Sequence, residues 1–172
     1  MKTVRKKIEP KNDRDTPWST ALRILTRRDY SQAELRKKLI DKGFDTELVH
    51  TTLQRCVELG YLDDARYALT RATSLMSQGR AVGHRILADL RQHGISEKLA
   101  EQALAAAREA CNEDTLLAGL LAKRFPDFNY NTAPAGEKRR VVNFLQRRGF
   151  TISRILDQLT RKGNATDNED RE

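Results

Sequence analysis

Three glycines in this chain sit inside the same arrangement of apolar residues. Leu35 and Leu39 precede Gly43, Phe44 follows it, and Val49 and Leu53 come after. Ile86, Leu90, Gly94, Ile95, Ala100 and Leu104 repeat the arrangement, as do Val141, Leu145, Gly149, Phe150, Ile155 and Leu159. The apolar offsets from the glycine are −8, −4, +1, +6 and +10 each time, and the glycines lie 51 and 55 positions apart. Apolar residues four apart share one face of an α-helix. A glycine takes positive φ without steric cost, so it ends one helix and turns the chain, and the apolar residue after it plugs the corner. The next helix packs back through its +6 and +10 positions. One further amphipathic helix is expected before each pair, over Trp18–Arg28, Asp63–Ser77 and Glu113–Arg124. The expectation is an all-α fold of three tandem three-helix repeats, each contacting mainly its neighbours, forming an elongated, curved molecule.

Start and stop signals place the boundaries at 18–62, 63–110 and 111–162 for repeats one to three. Ser31 and Glu34 have the spacing of a capping box, in which each satisfies the other's free backbone N–H. Asp63 and Asp64 put acidic charge at a helix start, and Pro17 suits a first helical position. Gly43, Gly60, Gly79, Gly94, Gly149 and Gly163 are the expected stops. Gly79 to His84 is expected to open the helix that runs to His93, and residues 125–136, rich in Pro and Asn, are expected to be irregular. Residues 1–17 hold six bases and three acids, and the last nine residues hold four acids and one arginine. Neither end has apolar periodicity, so 1–17 reads as a disordered basic tail and 163–172 as a disordered acidic tail.

Charge narrows the partners. The formal net charge is +8. A first basic run, from Arg27 to Lys42, holds Arg27, Arg28, Arg36, Lys37, Lys38 and Lys42 against three acids. Residues 137–162 carry eight bases, including Lys138, Arg139, Arg140, Arg147 and Arg148, against Glu137 and Asp157. Two such runs on a basic chain favour a polyanionic or acidic partner, and these eleven residues are its candidate contacts. Arg140 and Arg147 are seven apart and share a helix face, as do Lys38 and Lys42. No stretch approaches the ~18 uncharged apolar residues of a membrane span, and no apolar segment follows the basic start, so no membrane or secretory role is expected. Cys56 and Cys111 lack a CxxC spacing and read as free thiols in helical apolar patterns, in keeping with a reducing cytoplasm.

No catalytic signature stands out, and neither a metal nor a cofactor is expected. Gly79-x-x-x-Gly83-His84 lacks the Gly-Lys-[Ser/Thr] of a phosphate loop. His50, His84 and His93 have no metal-ligand spacing, and His93 stands before Gly94 at a helix C-terminus that favours a protonated imidazole. Asp63 and Asp64 read as helix-capping acids with Arg66 as a countercharge, not as an acid–base pair. Trp18 and Tyr61 read as core or corner residues, since aromatics make up 6% of the chain and do not interleave the basic runs. Helix–Gly–helix units on a basic chain also fit a DNA-binding protein of helix-turn-helix type. Against that alternative, the helices after Gly43 and Gly94 open with Asp45, Glu47, Glu97 and Glu101. Weak, salt-sensitive, nonspecific DNA binding is expected. The absence of a heptad seam points to a monomer.

Gly60-Tyr61-Leu62-Asp63-Asp64-Ala65-Arg66-Tyr67-Ala68, the earlier Ser31-x-x-Glu34-Leu35-x-x-Lys38-Leu39, the stretch ending at Gly94-Ile95, and Arg147-Arg148-Gly149-Phe150 together resemble the RecX family. The likeness runs from about residue 18 to 160. It implies three tandem three-helix repeats in a cytoplasmic, non-enzymatic regulator. Such a protein engages the filament that the recombinase RecA forms on single-stranded DNA, and limits its growth, strand exchange, ATP hydrolysis and co-protease activity. Gly60, Tyr61, Leu62, Asp63, Asp64, Gly94, Gly149 and Phe150 are the motif residues, with structural roles. The stretch before Ile86 carries fewer bases than its counterparts, which leaves open whether the middle repeat touches a phosphate backbone.

Overall fold

The structure is a computed structural model that describes residues 16–169, with side chains described through Arg161. Among the described residues there are nine α-helices and no strand: α1 Pro17–Leu25, α2 Gln32–Asp41, α3 Thr46–Glu58, α4 Asp64–Ser77, α5 His84–Gln92, α6 Glu97–Ala110, α7 Glu113–Arg124, α8 Ala135–Gln146 and α9 Ile152–Glu169. They form three successive triplets, each with the glycine corner between its second and third helices.

The periodic pattern is the core. Of its fifteen apolar positions only Phe44 is partly exposed, and it too packs against the cluster formed by Leu35, Leu39, Val49 and Leu53. Gly43, Gly94 and Gly149 take φ of 88°, 76° and 103°, values that L side chains resist. At the end of α2, the Gly43 N–H bonds the Ile40 carbonyl at 2.8 Å and the Phe44 N–H bonds that of Leu39 at 3.3 Å. This paired closure satisfies carbonyls the helix leaves open and turns Phe44 onto the core.

Three boundaries differ from the sequence expectation. Helix α1 stops at Leu25, not Arg28: the Thr26 hydroxyl bonds the Arg23 carbonyl at 3.0 Å, and the Arg27 N–H bonds the Ile24 carbonyl, tightening the last turn. Gly79 and Gly83 lie outside α5, with φ of 64° and 51°. The intervening Ala81 and Val82 are buried, and the Val82 N–H is taken by the Arg148 carbonyl, so this segment cannot join the helix that starts at His84. Helix α9 continues through Gly163 to Glu169. A glycine inside a helix costs only about 1 kcal/mol relative to alanine, and no proline follows to stop it. Residues 163–169 are thus helical where a disordered tail was expected, while 1–15 and 170–172 lie outside the described residues.

The chain divides into two compact units. One contains the residues up to Tyr67 with Gln92–Ile95, and the other Ala68–Arg91 with the residues from Ser96 onward. The first has its core in α1, α2 and α3, with Ala21, Leu35, Leu39, Val49 and Cys56 fully buried. In the second, Leu117 and Leu121 of α7, Val141 and Leu145 of α8, and Ile155 and Leu159 of α9 are buried.

Candidate functional site

Within each unit, the carbonyl of the residue before a corner glycine accepts a hydrogen bond from a distant segment, from a side chain in one unit and from the backbone in the other. Ser31, twelve residues before Gly43, caps α2 and donates its Oγ–H to the carbonyl of His93, the residue before Gly94, at 2.5 Å. Val82, twelve residues before Gly94, donates its N–H to the carbonyl of Arg148, the residue before Gly149, at 2.8 Å. The corners sit close because they carry glycine. A β-carbon on Gly94 would lie 2.2 Å from the Ala33 β-carbon, and one on Gly149 would lie 2.2 Å from the Val82 carbonyl oxygen. Gln92–Ile95 thereby belongs to the first unit.

In repeat one, the capping box closes as expected: Ser31 Oγ accepts from the Glu34 N–H at 3.1 Å, and the Glu34 carboxylate accepts from the Ser31 N–H. Glu34 also pairs with Arg28 at 2.9 Å and approaches His93 Nε2 at 3.9 Å. Burial raises the Glu34 pKa, but the hydrogen bonds from Arg28 and the Ser31 amide outweigh it, and the carboxyl sits below its ordinary value. Arg28 lies 3.7 Å over the Tyr30 ring and bonds the Asp29 carbonyl, so it is committed to its own repeat. Lys38 lies 5.6 Å from the same ring. Arg27, Arg36, Lys37 and Lys42 are exposed and have no carboxylate partner among the described residues.

The basic residues of repeat three divide in the same way. Lys138 lies 5.1 Å from the Tyr130 ring, while Arg139, Arg140 and Arg147 are exposed without a carboxylate partner among the described residues. Arg148 is turned inward: Nε donates to the Gly79 carbonyl at 3.0 Å, Nη1 to the Phe144 carbonyl at 3.2 Å, and the guanidinium stacks 3.6 Å over the Phe144 ring. Burial, then the charges of Arg147 and Arg124, push its pKa below the ordinary value. Phe125 meets Phe144 edge-on at 5.2 Å, which brings the end of α7, and with it Arg124, to the end of α8. Gly149 packs against the stem of Arg85. Arg80, Arg85 and Arg124 are thus part of this basic corner, although they belong to neither basic run in the sequence; their positions depend on which helix ends meet.

The two adjacent motif aspartates make different bonds. Asp63 Oδ1 accepts from the N–H groups of Ala65 and Arg66, capping α4 at 2.9 Å each. Asp64 instead clamps α2, accepting from the Gln32 N–H at 2.9 Å and its side-chain amide at 3.3 Å. Burial raises the Asp64 pKa, partly offset by those bonds. Arg66 does not act as the expected countercharge: Nη2 donates to the Gly60 carbonyl at 3.2 Å. Leu62 is buried, whereas Tyr61 is 50% exposed and tilts against Trp18, which excludes the core role of the two expected for it, core or corner. The cysteines are free, with Cys56 buried and Cys111 partly so. Among the described residues no group of His, Cys, Asp and Glu is arranged to hold a metal, and no helix is long and apolar enough to cross a membrane.

Family models for the first and second three-helix domains of RecX match residues 18–56 and 63–104. A curated regulatory protein RecX from Syntrophotalea carbinolica is 44% identical over 145 residues, covering 84% of this chain and 94% of that protein. The chain belongs to the RecX family. A second RecX, from Vibrio vulnificus, is 34% identical over 79% of this chain and 86% of its own length. The crystal structure of RecX from Lactobacillus salivarius matches with a TM-score of 0.70 at 19% identity, over 87% of this chain and 95% of that one. That likeness reports the fold. RecX proteins are regulatory proteins by their curated description, and the nine helices here are grouped in threes as the family's domain models are.

Proposed function

We propose that this chain is a cytoplasmic, monomeric modulator of the RecA recombinase. It binds the filament that RecA forms on single-stranded DNA and limits its growth, and with it strand exchange, ATP hydrolysis and co-protease activity. The reading is carried by the near full-length relationship to regulatory protein RecX. It is supported by two groups of exposed cations that have no carboxylate partner among the described residues: Arg27, Arg36, Lys37 and Lys42 in repeat one, and Arg139, Arg140 and Arg147 in repeat three. Such groups suit acidic protein surfaces and phosphates, whereas Arg28 and Arg148 are committed internally.

The mechanism is thermodynamic. A protein that binds one filament conformation more tightly than another shifts the filament toward it by that difference in affinity, with no chemical step of its own. The test is RecA ATPase activity on single-stranded DNA, titrated with this protein, with DNA binding by the protein alone as control. Inhibition well below one molecule per recombinase subunit, without sequestration of the DNA, is expected. Inhibition only at DNA saturation, reversed by salt or excess DNA, would refute the proposal in favour of a nonspecific DNA binder. Arg140→Glu with Arg147→Glu is expected to raise the half-inhibitory concentration about ten-fold at unchanged helicity. Wild-type potency would remove this face from the interface.

A further inference from the structure

Equivalent positions at the two repeat junctions carry opposite charge. Nine residues before Gly43 stands Glu34, whose carboxylate faces His93 and pairs with Arg28. Nine residues before Gly94 stands Arg85, and Arg148 occupies the place of His93. The first junction joins an acid to bases, whereas the second joins base to base. Gly149 lies against the Arg85 stem, so this proximity is one of structure as well as register.

More positive charge converges there. Arg147 follows α8, Arg124 ends α7 next to the Phe125–Phe144 ring contact, and Arg80 follows the Gly79 whose carbonyl Arg148 holds. None of Arg80, Arg85, Arg124 and Arg147 has a carboxylate partner among the described residues. Other arginines are neutralised internally: Arg71 pairs with Asp89, Arg154 with Glu113 and Asp114, and Arg108, whose Nη2 would lie 3.7 Å from a β-carbon on Gly83 at the edge of this corner, with Glu113. The charges of Arg147 and Arg124 act unfavourably on the Arg148 guanidinium, and an anion from outside relieves that repulsion.

We propose that this corner binds the phosphodiester backbone of a nucleic-acid strand, with Arg80, Arg85, Arg124 and Arg147 as the contacting cations. Arg148 is the positioning residue, fixed by the Gly79 and Phe144 carbonyls. Four guanidiniums presented from three segments suit a chain with one charge per nucleotide, because each planar fork engages phosphate oxygens bidentately. The rings at the corner are engaged with each other and with Arg148. The grip is therefore on the backbone, and the binding independent of sequence. The inference rests on the reading of repeat three as part of the filament interface and assigns this part of it to DNA. The middle repeat reaches the phosphate backbone through Arg80 and Arg85.

The test measures the salt dependence of binding to a fluorescein-labelled oligo-dT by anisotropy, from ~50 to ~200 mM salt. Each phosphate contact on a single strand contributes about 0.7 to the slope of log K against log salt, so Arg124→Gln with Arg147→Gln should lower it by about 1.4. Arg66→Gln with Lys98→Gln removes the same net charge elsewhere and should leave the slope near wild type. Equal slopes in the two variants would overturn the proposal. So would displacement of the oligonucleotide by inorganic phosphate at equal phosphate concentration, which would mark a general anion site. Circular dichroism confirms folding of each variant. The ATPase titration separates this inference from the reading it rests on. An unchanged slope with intact RecA inhibition sinks the DNA corner alone. A reduced slope in a protein whose wild type does not inhibit RecA supports the corner and sinks the recombinase reading.

Discussion

Replacing Gly149 with alanine measures what the corner glycines contribute. The new β-carbon would lie 2.2 Å from the Val82 carbonyl oxygen and 2.8 Å from Arg85 Cγ. The arginine stem can move aside, but the carbonyl is backbone and must shift by at least 0.8 Å to reach the 3.0 Å that real β-carbons keep. That shift pulls against the 2.8 Å bond from the Val82 N–H to the Arg148 carbonyl. Two costs add. A non-glycine residue in left-handed backbone costs roughly 1–2 kcal/mol. Separating a buried backbone pair costs about another 1–3 kcal/mol. The expected destabilisation is about 2–5 kcal/mol, read by urea unfolding followed by far-ultraviolet circular dichroism. Gly60→Ala is the matched comparison: φ is +72° there too, but a β-carbon meets nothing within 4 Å, so only the first cost, about 1–2 kcal/mol, applies. If the two variants lose the same stability, close approach at the junction plays no part and the account of the repeat corner fails.

Three further outcomes follow from the same geometry. Ser31→Ala loses both the cap on the Glu34 N–H and the bond to the His93 carbonyl, and should cost about 2 kcal/mol. A loss near that of an ordinary cap, about 1 kcal/mol, would remove the junction bond from the account. The Glu34 carboxyl is held below its ordinary value of 4.5, so the unfolded chain takes up its proton first. The stability tied to Glu34 is therefore complete above that value and lost as pH falls through the lower folded one. Asp64 is raised and acts in the opposite sense, gaining stability as it protonates. In acid denaturation, Glu34→Gln should flatten the loss and Asp64→Asn should steepen it; the reverse order would refute both assignments. Finally, burial pushes the Cys56 thiol up while Cys111 is partly exposed, so a disulfide reagent should modify Cys111 well before Cys56. Equal rates in the folded protein would contradict the packing of α3.

The core was legible in the linear chain because it obeys a helical period. Apolar offsets of −8, −4, +1, +6 and +10 around Gly43, Gly94 and Gly149 name buried positions directly, since spacing alone decides which face of a helix is apolar. The Ser31–Glu34 box and the Asp63 cap were legible for a similar reason: both bonds close within three residues. Exposure at Tyr61 was not, because a tyrosine beside a buried Leu62 reads the same whether it faces the core or lies across Trp18.

Charge was legible as runs but not as sites. Arg28 and Arg148 read like their neighbours, yet Glu34 claims the first and the Gly79 and Phe144 carbonyls hold the second. Arg80, Arg85 and Arg124 belong to no run, and only the meeting of α7, α8 and the turn before α5 collects them. The sequence by itself determined helix, corner and core, because each depends on residues a few positions apart. Tertiary structure alone decided which cations are paired and which stand together unpaired, because electrostatic energy depends on distance in space and on burial, and neither is a property of order along the chain.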